Sequence, residues 1–218
     1  KYVNMPLSDI PCPCGKHKSY AHHYVEPFIN AMKACDVRCE VIFVNEMYRK
    51  GMFAESIDKA FKRREKAMEI LNKVTGREMK PDWAPFNPLC EKCGRFTDPI
   101  LDTYEYPYVE YQCKCGHHGK ADITKGEGKL PWRLEWPAKW KIFNTSVEPF
   151  GKDHAAAGGS YDSGEVIVRE IFDGEPVYPI PYEFVQFKSK GQVMQMHKSK
   201  GSVVSGLDAI QMNPPEVL

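Results

Sequence analysis

Apolar residues recur at helical spacing most clearly over residues 53–75, where Ile57, Phe61, Met68, Leu71 and Val74 fall along one face. Gly76 follows as a stop, since a residue without a Cβ closes a helix in the left-handed conformation at little cost. A shorter helix is predicted from about His22 to Lys33, and residues 39–44 read as a short buried strand. Tyr104, Tyr106 and Tyr108 alternate with period two, as strand residues do. Residues 146–150 read as a strand running into a turn at Gly151. A helix follows Ser163 and ends near Gly174, residues 177–187 are extended, and a last helix starts after Ser205. Residues 82–88, broken by proline, and 125–131, rich in Gly and Lys, read as connectors. The pattern predicts an α/β fold whose two ends enclose a small insertion. The expected division is residues 1–82, 83–131 and 132–218.

The chain has 218 residues, 42% of them hydrophobic, which is enough for a packed core. Its formal net charge of +1 singles out no partner, so any nucleic-acid surface must be a local patch. No stretch is apolar for long enough to span a bilayer. Lys1-Tyr2-Val3-Asn4 leads into proline and aspartate, so no signal peptide is expected. Nothing in the sequence fixes an assembly state.

The eight cysteines change the picture more. Spacings of one and two residues, beside histidines and glycines, favour thiolate metal ligation in a reducing compartment over disulfides, so the protein is placed in the cytoplasm. Cys90-x2-Cys93-Gly94 and Cys113-x-Cys115-Gly116-His117 bracket an apparent β-hairpin. Two turns with two donors each can build a closed tetrahedral zinc site, with Cys113 joined by either Cys115 or His117. Such a site folds a unit too small for a core of its own. Cys12, Cys14, His17 and His23 offer a second set of four donors, with His23 preferred over His22. Cys35 and Cys39 are expected to be core residues.

Three of the four tryptophans lie within Trp132-Arg133-Leu134-Glu135-Trp136-Pro137-Ala138-Lys139-Trp140. Core packing is the default for such rings; an aromatic wall around an aliphatic ammonium group is the sharper reading. Glu148-Pro149-Phe150-Gly151-Lys152-Asp153-His154 leads from a strand into Ala155-Ala156-Ala157-Gly158-Gly159, where small residues let backbone approach a flat ligand. The carboxyl end of a strand in an α/β sheet is where nucleotides bind. Asp153 suits a ribose or ammonium group and His154 a phosphate or carboxylate; the plainer alternative is a capped helix start with a core histidine. Residues 184–207 carry Lys188, Lys190, Lys198 and Lys200 with no acidic residue, and Gly201 closes a cationic loop suited to polyphosphate. Lys62-Arg63-Arg64 reads as a solvated helix face rather than an RNA contact.

The order WRLEWPAKW, EPFGKDHAAAGGSYDSG, YEFV and QMHKSKGSVVSG resembles class I lysyl-tRNA synthetases, and CEKCG, CKCGHHG and PCPCGKH fit the same pattern. The resemblance covers essentially the whole chain. It implies a partial Rossmann-type catalytic domain carrying a small zinc-ribbon-like β insertion. It implies ATP-dependent activation of L-lysine, with Mg2+, to lysyl-adenylate and transfer to tRNA(Lys). Lys200 matches the best-retained lysine of the family's KMSKS loop and, with Lys198, is implied to contact ATP phosphates. Gln195 and His197 stand where that motif has its first lysine and first serine. Gly151, Asp153 and His154 match GKDH at the ATP and lysine pocket. Trp132 and Tyr182 fall where the lysine site is shaped, and the insertion is implied to approach the tRNA acceptor end. No HIGH-type motif occurs, so the chain is expected to be the middle of an enzyme, lacking that motif and the anticodon-binding domain, and inactive alone. The competing expectations are a non-catalytic zinc module that binds RNA, and a related class I synthetase for another amino acid.

Overall fold

The computed structural model describes residues 1–184, 186–189, 192–196 and 204–212. The chain divides into two compact units, residues 1–42 with 184–218, and residues 43–183.

In the first unit, α1 (Tyr20–Ala34) starts at Ser19, whose side chain accepts from the His22 backbone N–H. Two short strands, β7 (Gln186–Ser189) and β8 (Gln192–Gln195), pair antiparallel. Helix α7 (Gly206–Met212) opens on a reciprocal cap: Asp208 N–H donates to Ser205 Oγ at 3.1 Å, and Ser205 N–H donates to Asp208 Oδ2 at 2.9 Å. The strand expected over residues 39–44 does not form. Residues 39–43 are irregular, Val41 and Ile42 are exposed, and a helix begins at Val44. A β-branched run becomes a strand only beside a hydrogen-bonding partner, and among the described residues none pairs with it. Cys35 is half-buried and Cys39 exposed, so neither is the core residue expected.

The second unit begins with three helices, α2 (Val44–Arg49), α3 (Ala54–Lys62) and α4 (Arg64–Thr75). The helix predicted over residues 53–75 is therefore two, broken at Arg63, where the backbone opens to φ −111° and ψ 26°. The side chain of Arg63 reaches the carbonyls of Glu170 and Ile171 and the carboxylate of Asp173. An apolar stripe cannot reveal such a break, because one bent residue leaves the phase of the stripe nearly intact. Gly76 ends α4 at φ 66°, as predicted. Ile57, Ala60, Ala67, Ile70 and Leu71 turn inward onto Phe53, Phe86, Leu130 and Leu134. Each large apolar side chain buried there contributes roughly 1.5–3 kcal/mol.

The insertion shares that core. Strands β2 (Tyr108–Gln112) and β3 (His118–Asp122) form an antiparallel hairpin, registered from Tyr108 opposite Asp122 to Gln112 opposite His118. Val109, Tyr111 and Ala121 face the same cluster as α3 and α4. Two-residue strands β1 (Asn87–Pro88) and β4 (Gly128–Lys129) pair at its base. The tyrosine alternation is not one strand. Tyr104 follows a 3-10 turn at Leu101–Thr103, stacks on Phe61 with ring centres 3.9 Å apart and donates to Asp58 at 2.8 Å. Pro107 has no N–H for a ladder, and regular pairing starts at Tyr108.

Helix α5 (Trp132–Phe143) leads to a parallel β–α–β unit: β5 (Val147–Gly151), α6 (Ser160–Glu170) and β6 (Tyr178–Tyr182). β5 and β6 pair directly, from Val147 opposite Tyr178 to Gly151 opposite Tyr182. α5 lies against α6, where Gly164 leaves room for Trp140; a Cβ at Gly164 would sit 2.7 Å from the edge of that indole. Trp136, Trp140, Phe150, Val168 and Val177 make a second small core. The mixture of helices and strands fits the α/β expectation. Among the described residues no helix is long and apolar enough to cross a membrane.

Candidate functional site: an aromatic wall at the strand ends and two donor clusters

Because β5 and β6 run parallel, their carboxyl ends lie side by side, and Gly151 meets Tyr182 in register. Lys152 N–H donates to the Tyr182 carbonyl at 2.9 Å and carries the register one step past the strand. The chain then turns tightly, with His154 N–H donating to the Gly151 carbonyl at 2.9 Å. Asp153 folds back over Gly151: a Cβ there would sit 2.7 Å from Asp153 Oδ1, so any larger residue would displace that carboxylate. The Lys152 ammonium pairs with Glu183. The segment rejoins α6 through Gly158, at φ 73°, whose N–H donates to Asp162 Oδ2 at 2.9 Å. Arg133 ties α5 to the same helix start, donating to the Gly159 carbonyl at 3.0 Å and Ser163 Oγ at 2.8 Å.

Trp132, Trp136 and Trp140 are spaced by four on α5, so they share one face. Trp136 is the hub. It stacks on Trp132 at 5.5 Å, meets Trp140 at 5.1 Å and Phe150 at 5.2 Å edge-on, and lies 5.5 Å from the His154 ring. His154 is also 6.0 Å from Trp132. Trp132 is 47% exposed, whereas Trp136 and Trp140 are buried. Lys139 places its ammonium 5.4 Å from the Trp132 ring centre, so this wall already accepts an aliphatic ammonium group. Glu148, on β5, accepts from Trp136 Nε1 at 2.8 Å and from Trp140 Nε1 at 2.5 Å. Sequence reasoning gave Glu148 no such part; its signal was an acidic residue a few positions past a tryptophan-rich helix. Of the residues expected at the lysine site, the structure brings Trp132 and His154 together and sets Tyr182 at the adjoining strand end, 54% exposed. Lys198 and Lys200 lie outside the described residues.

Two donor clusters occur among the described residues, each with its ligand atoms within 4.8 Å of one another. In the first unit, Cys12 Sγ, Cys14 Sγ, His17 Nδ1 and His23 Nδ1 form all six edges of a tetrahedron, from 3.2 Å (His17–His23) to 3.6 Å (Cys12–His23). Zinc bonds of about 2.3 Å to sulfur and 2.0–2.1 Å to nitrogen give tetrahedral edges of about 3.4–3.8 Å, so this donor set fits zinc. His17 turns its other nitrogen to Glu26 at 3.6 Å, the outer contact that fixes a ligating imidazole. His22 instead lies against Ser19 Oγ at 2.8 Å. Burial pushes the Cys12 thiol up, but hydrogen bonds with His17 and Cys14 overcome this and hold it at about 5, within the thiolate range.

In the second unit, Cys90, Cys93, Cys113 and Cys115 converge, with sulfurs 3.8 Å apart for Cys90–Cys115 and 3.6 Å for Cys93–Cys113. A tetrahedral zinc–thiolate site has an edge of about 3.8 Å. His117 is placed elsewhere: its Nε2 lies 2.8 Å from Glu91 Oε1. The turns are alike in both clusters. Gly15, Gly94 and Gly116 each follow the second cysteine of a pair at φ between 68° and 84°, and each N–H returns to the carbonyl of that pair's first cysteine. Burial raises Cys93, yet the Arg95 backbone and neighbouring thiols bring it to about 7. A backbone hydrogen bond from Cys115 draws Cys113 down, but desolvation and the adjacent thiols push it to about 12. The Cys113 thiol is thus held protonated by its neighbours, and a bound dication would supply the charge that favours its thiolate.

The basic triplet at the α3–α4 break lies at the surface, as expected, but each member also has a partner within the chain. Lys62 pairs with Asp58, Arg63 holds the end of α6, and Arg64 donates to the carbonyls of Pro81 and Trp83. Two clefts of about 470 and 500 Å³ border it, sharing Phe61 and Arg64, but these cations are committed to internal partners. This removes the triplet as support for an RNA-binding module.

A parallel strand pair with an aromatic wall at its carboxyl ends places that wall where α/β sheets bind their ligands. The family model described as tRNA synthetases class I (K) matches residues 1–218, and the chain belongs to that family. The chain is 48% identical to a lysine–tRNA ligase of Thermoplasma acidophilum over 218 residues, all of this chain and 42% of that protein. It is 44% identical to lysine–tRNA ligase 1 of Methanosarcina acetivorans and 41% identical to the lysine–tRNA ligase of Methanocaldococcus jannaschii, covering 40% and 42% of those proteins. The chain therefore spans about two fifths of the length of the curated relatives it matches.

Proposed function

We propose that this chain is the lysine-recognising part of a lysine–tRNA ligase, which joins L-lysine to ATP as lysyl-adenylate and passes the lysyl group to tRNA(Lys). One observation carries the reading: His154 and the half-exposed ring of Trp132 stand together beside the carboxyl ends of two parallel strands. The Trp132 ring face now approached by Lys139, with Tyr182 at the next strand end, receives the ammonium of the lysine side chain as Lys139 moves aside. His154 donates to the lysine carboxylate or the α-phosphate. Gly151 and Asp153 border the nucleotide, with Asp153 accepting from ribose or the α-amino group. One carboxylate oxygen of lysine then attacks the α-phosphorus and pyrophosphate leaves; a terminal tRNA hydroxyl next attacks the acyl carbon and AMP leaves. Lys198 and Lys200, assigned from the motif alone, would lower the barrier where negative charge builds, and Mg2+ arriving with ATP would supply further positive charge there.

The same reading makes β5–α6–β6 part of a Rossmann-type sheet and residues 83–131 a zinc-ribbon-like insertion between catalytic segments 1–82 and 132–218. Structural zinc is assigned to Cys12, Cys14, His17 and His23, and to Cys90, Cys93, Cys113 and Cys115. Reduced thiols of this kind suit the cytoplasm. The insertion approaches the tRNA acceptor end.

The test is lysine-dependent ATP–pyrophosphate exchange by the full-length parent, run against a panel of amino acids. Lysine alone should support exchange. His154→Ala should lower it by about 10²–10³, the usual cost of one donor to a developing oxyanion. The 218-residue chain alone should be nearly inactive. Equal exchange with another amino acid would overturn the substrate assignment.

A further inference from the structure

Glu148 accepts from two indoles of the tryptophan wall at once. Its Oε1 takes Trp136 Nε1 at 2.8 Å and its Oε2 takes Trp140 Nε1 at 2.5 Å. Both rings are buried, at 3% and 2% exposure, so neither N–H has water as an alternative. Charge-assisted hydrogen bonds are about twice as strong as neutral ones and more directional. With both oxygens used, the carboxylate fixes the rotation of each indole about its own axis. Trp136 passes that constraint on, since it is in ring contact with both Trp132 and His154. The half-exposed Trp132 and His154 rings take their side-chain contacts from Trp136, from each other, and from Lys139 and Asp153 respectively.

We propose that Glu148 is a positioning residue for the substrate's ammonium and carboxylate ends: it locks Trp136 and thereby sets the spacing between the Trp132 ring and the His154 imidazole. The proposal rests on the lysine-binding reading above. It separates two jobs that share one face of α5, Trp140 anchoring the wall to the core and Trp136 orienting the groups that meet the ligand. Glutamine fits poorly at this position, because one of its two ends is a donor and would oppose an indole N–H. Aspartate keeps the charge but is one methylene shorter, and reaches one indole at best.

The experiment uses the full-length enzyme with selective 15N-tryptophan labelling, together with exchange kinetics for Glu148→Gln and Glu148→Asp. In the wild type, adding L-lysine should move the Trp132 and Trp136 indole signals. Glu148→Gln should shift the Trp136 and Trp140 N–H signals upfield and raise KM for lysine about tenfold or more, the scale of one lost charged hydrogen bond. KM for ATP should rise several-fold less than KM for lysine, because Gly151 and Asp153, which border the nucleotide, are not oriented through Trp136 as Trp132 and His154 are. Glu148→Asp should fall between, and serves alone if the glutamine variant does not fold. Unchanged lysine KM in the variant that folds, or lysine and ATP KM rising in parallel with a fall in Tm, overturns the positioning role. If lysine moves no indole signal in the wild type while the Glu148→Gln shifts remain, the lysine-binding reading has failed instead, and the positioning role falls with it.

Discussion

The choice between Cys115 and His117 as a fourth zinc donor gives the sharpest test of the second cluster. Sequence spacing admits both. In the structure Cys115 Sγ is 3.8 Å from Cys90 Sγ, the edge of a zinc–thiolate tetrahedron, while His117 Nε2 is engaged by Glu91 at 2.8 Å. An apparent zinc free energy of about 10–16 kcal/mol shared over four donors is about 2.5–4 kcal/mol each. Cys115→Ser should therefore weaken zinc binding on the order of a hundredfold, because a serine hydroxyl stays protonated near neutral pH. His117→Ala should leave the affinity within about a few-fold, since it removes contacts with Glu91 and Tyr111 rather than a zinc donor. Competition against a chromophoric chelator gives the affinities, and elemental analysis gives zinc per chain. The reverse order, with His117→Ala releasing zinc and Cys115→Ser retaining it, would refute the geometric argument. So would loss of zinc by neither variant.

Three further outcomes are expected. His23→Ala should cost one zinc per chain and His22→Ala none, because His23 Nδ1 stands 3.3 Å from Cys14 Sγ whereas His22 turns to Ser19; elemental analysis decides. Gly164→Ala should destabilise the chain by about 1–3 kcal/mol, the usual cost of overpacking, and disturb the near-ultraviolet dichroism of Trp140, which it would crowd at 2.7 Å; an unchanged melt would count against the packing described. The Arg63 and Lys59 contacts hold Asp173 down from 3.8 to about 2, so its folded pKa lies below its unfolded one. Its stabilising contribution is present above the unfolded value and is lost as pH falls through about 2; Asp173→Asn should flatten the melting temperature between those pH values, and an identical acid profile for both proteins would sink the idea.

The parts of the fold that could be read from the chain are those set by near neighbours. The stop at Gly76, the helix after Ser205 with its Ser205–Asp208 cap, and the strand ending at Gly151 all depend on residues within a few positions. The failures share the opposite cause. Residues 39–43 have strand-like composition but no partner strand among the described residues. The long apolar stripe hid the break at Arg63, which answers to the end of α6 more than a hundred residues away. The tyrosine alternation mixed a residue packed on α3 with one that opens a strand.

For the site, sequence alone determined which chemistry was available: paired thiols with glycine at the following position, tryptophans spaced by four, and a glycine-flanked Asp-His after a strand. These are local because turn geometry and helical spacing are local. Only the tertiary structure decided which donors meet, that Cys115 joins the thiols while His117 turns to Glu91, and that Glu148 gathers two indoles beneath the wall facing His154. Those pairings come from separate elements packed by buried apolar surface, and that packing force has no direction of its own along the chain.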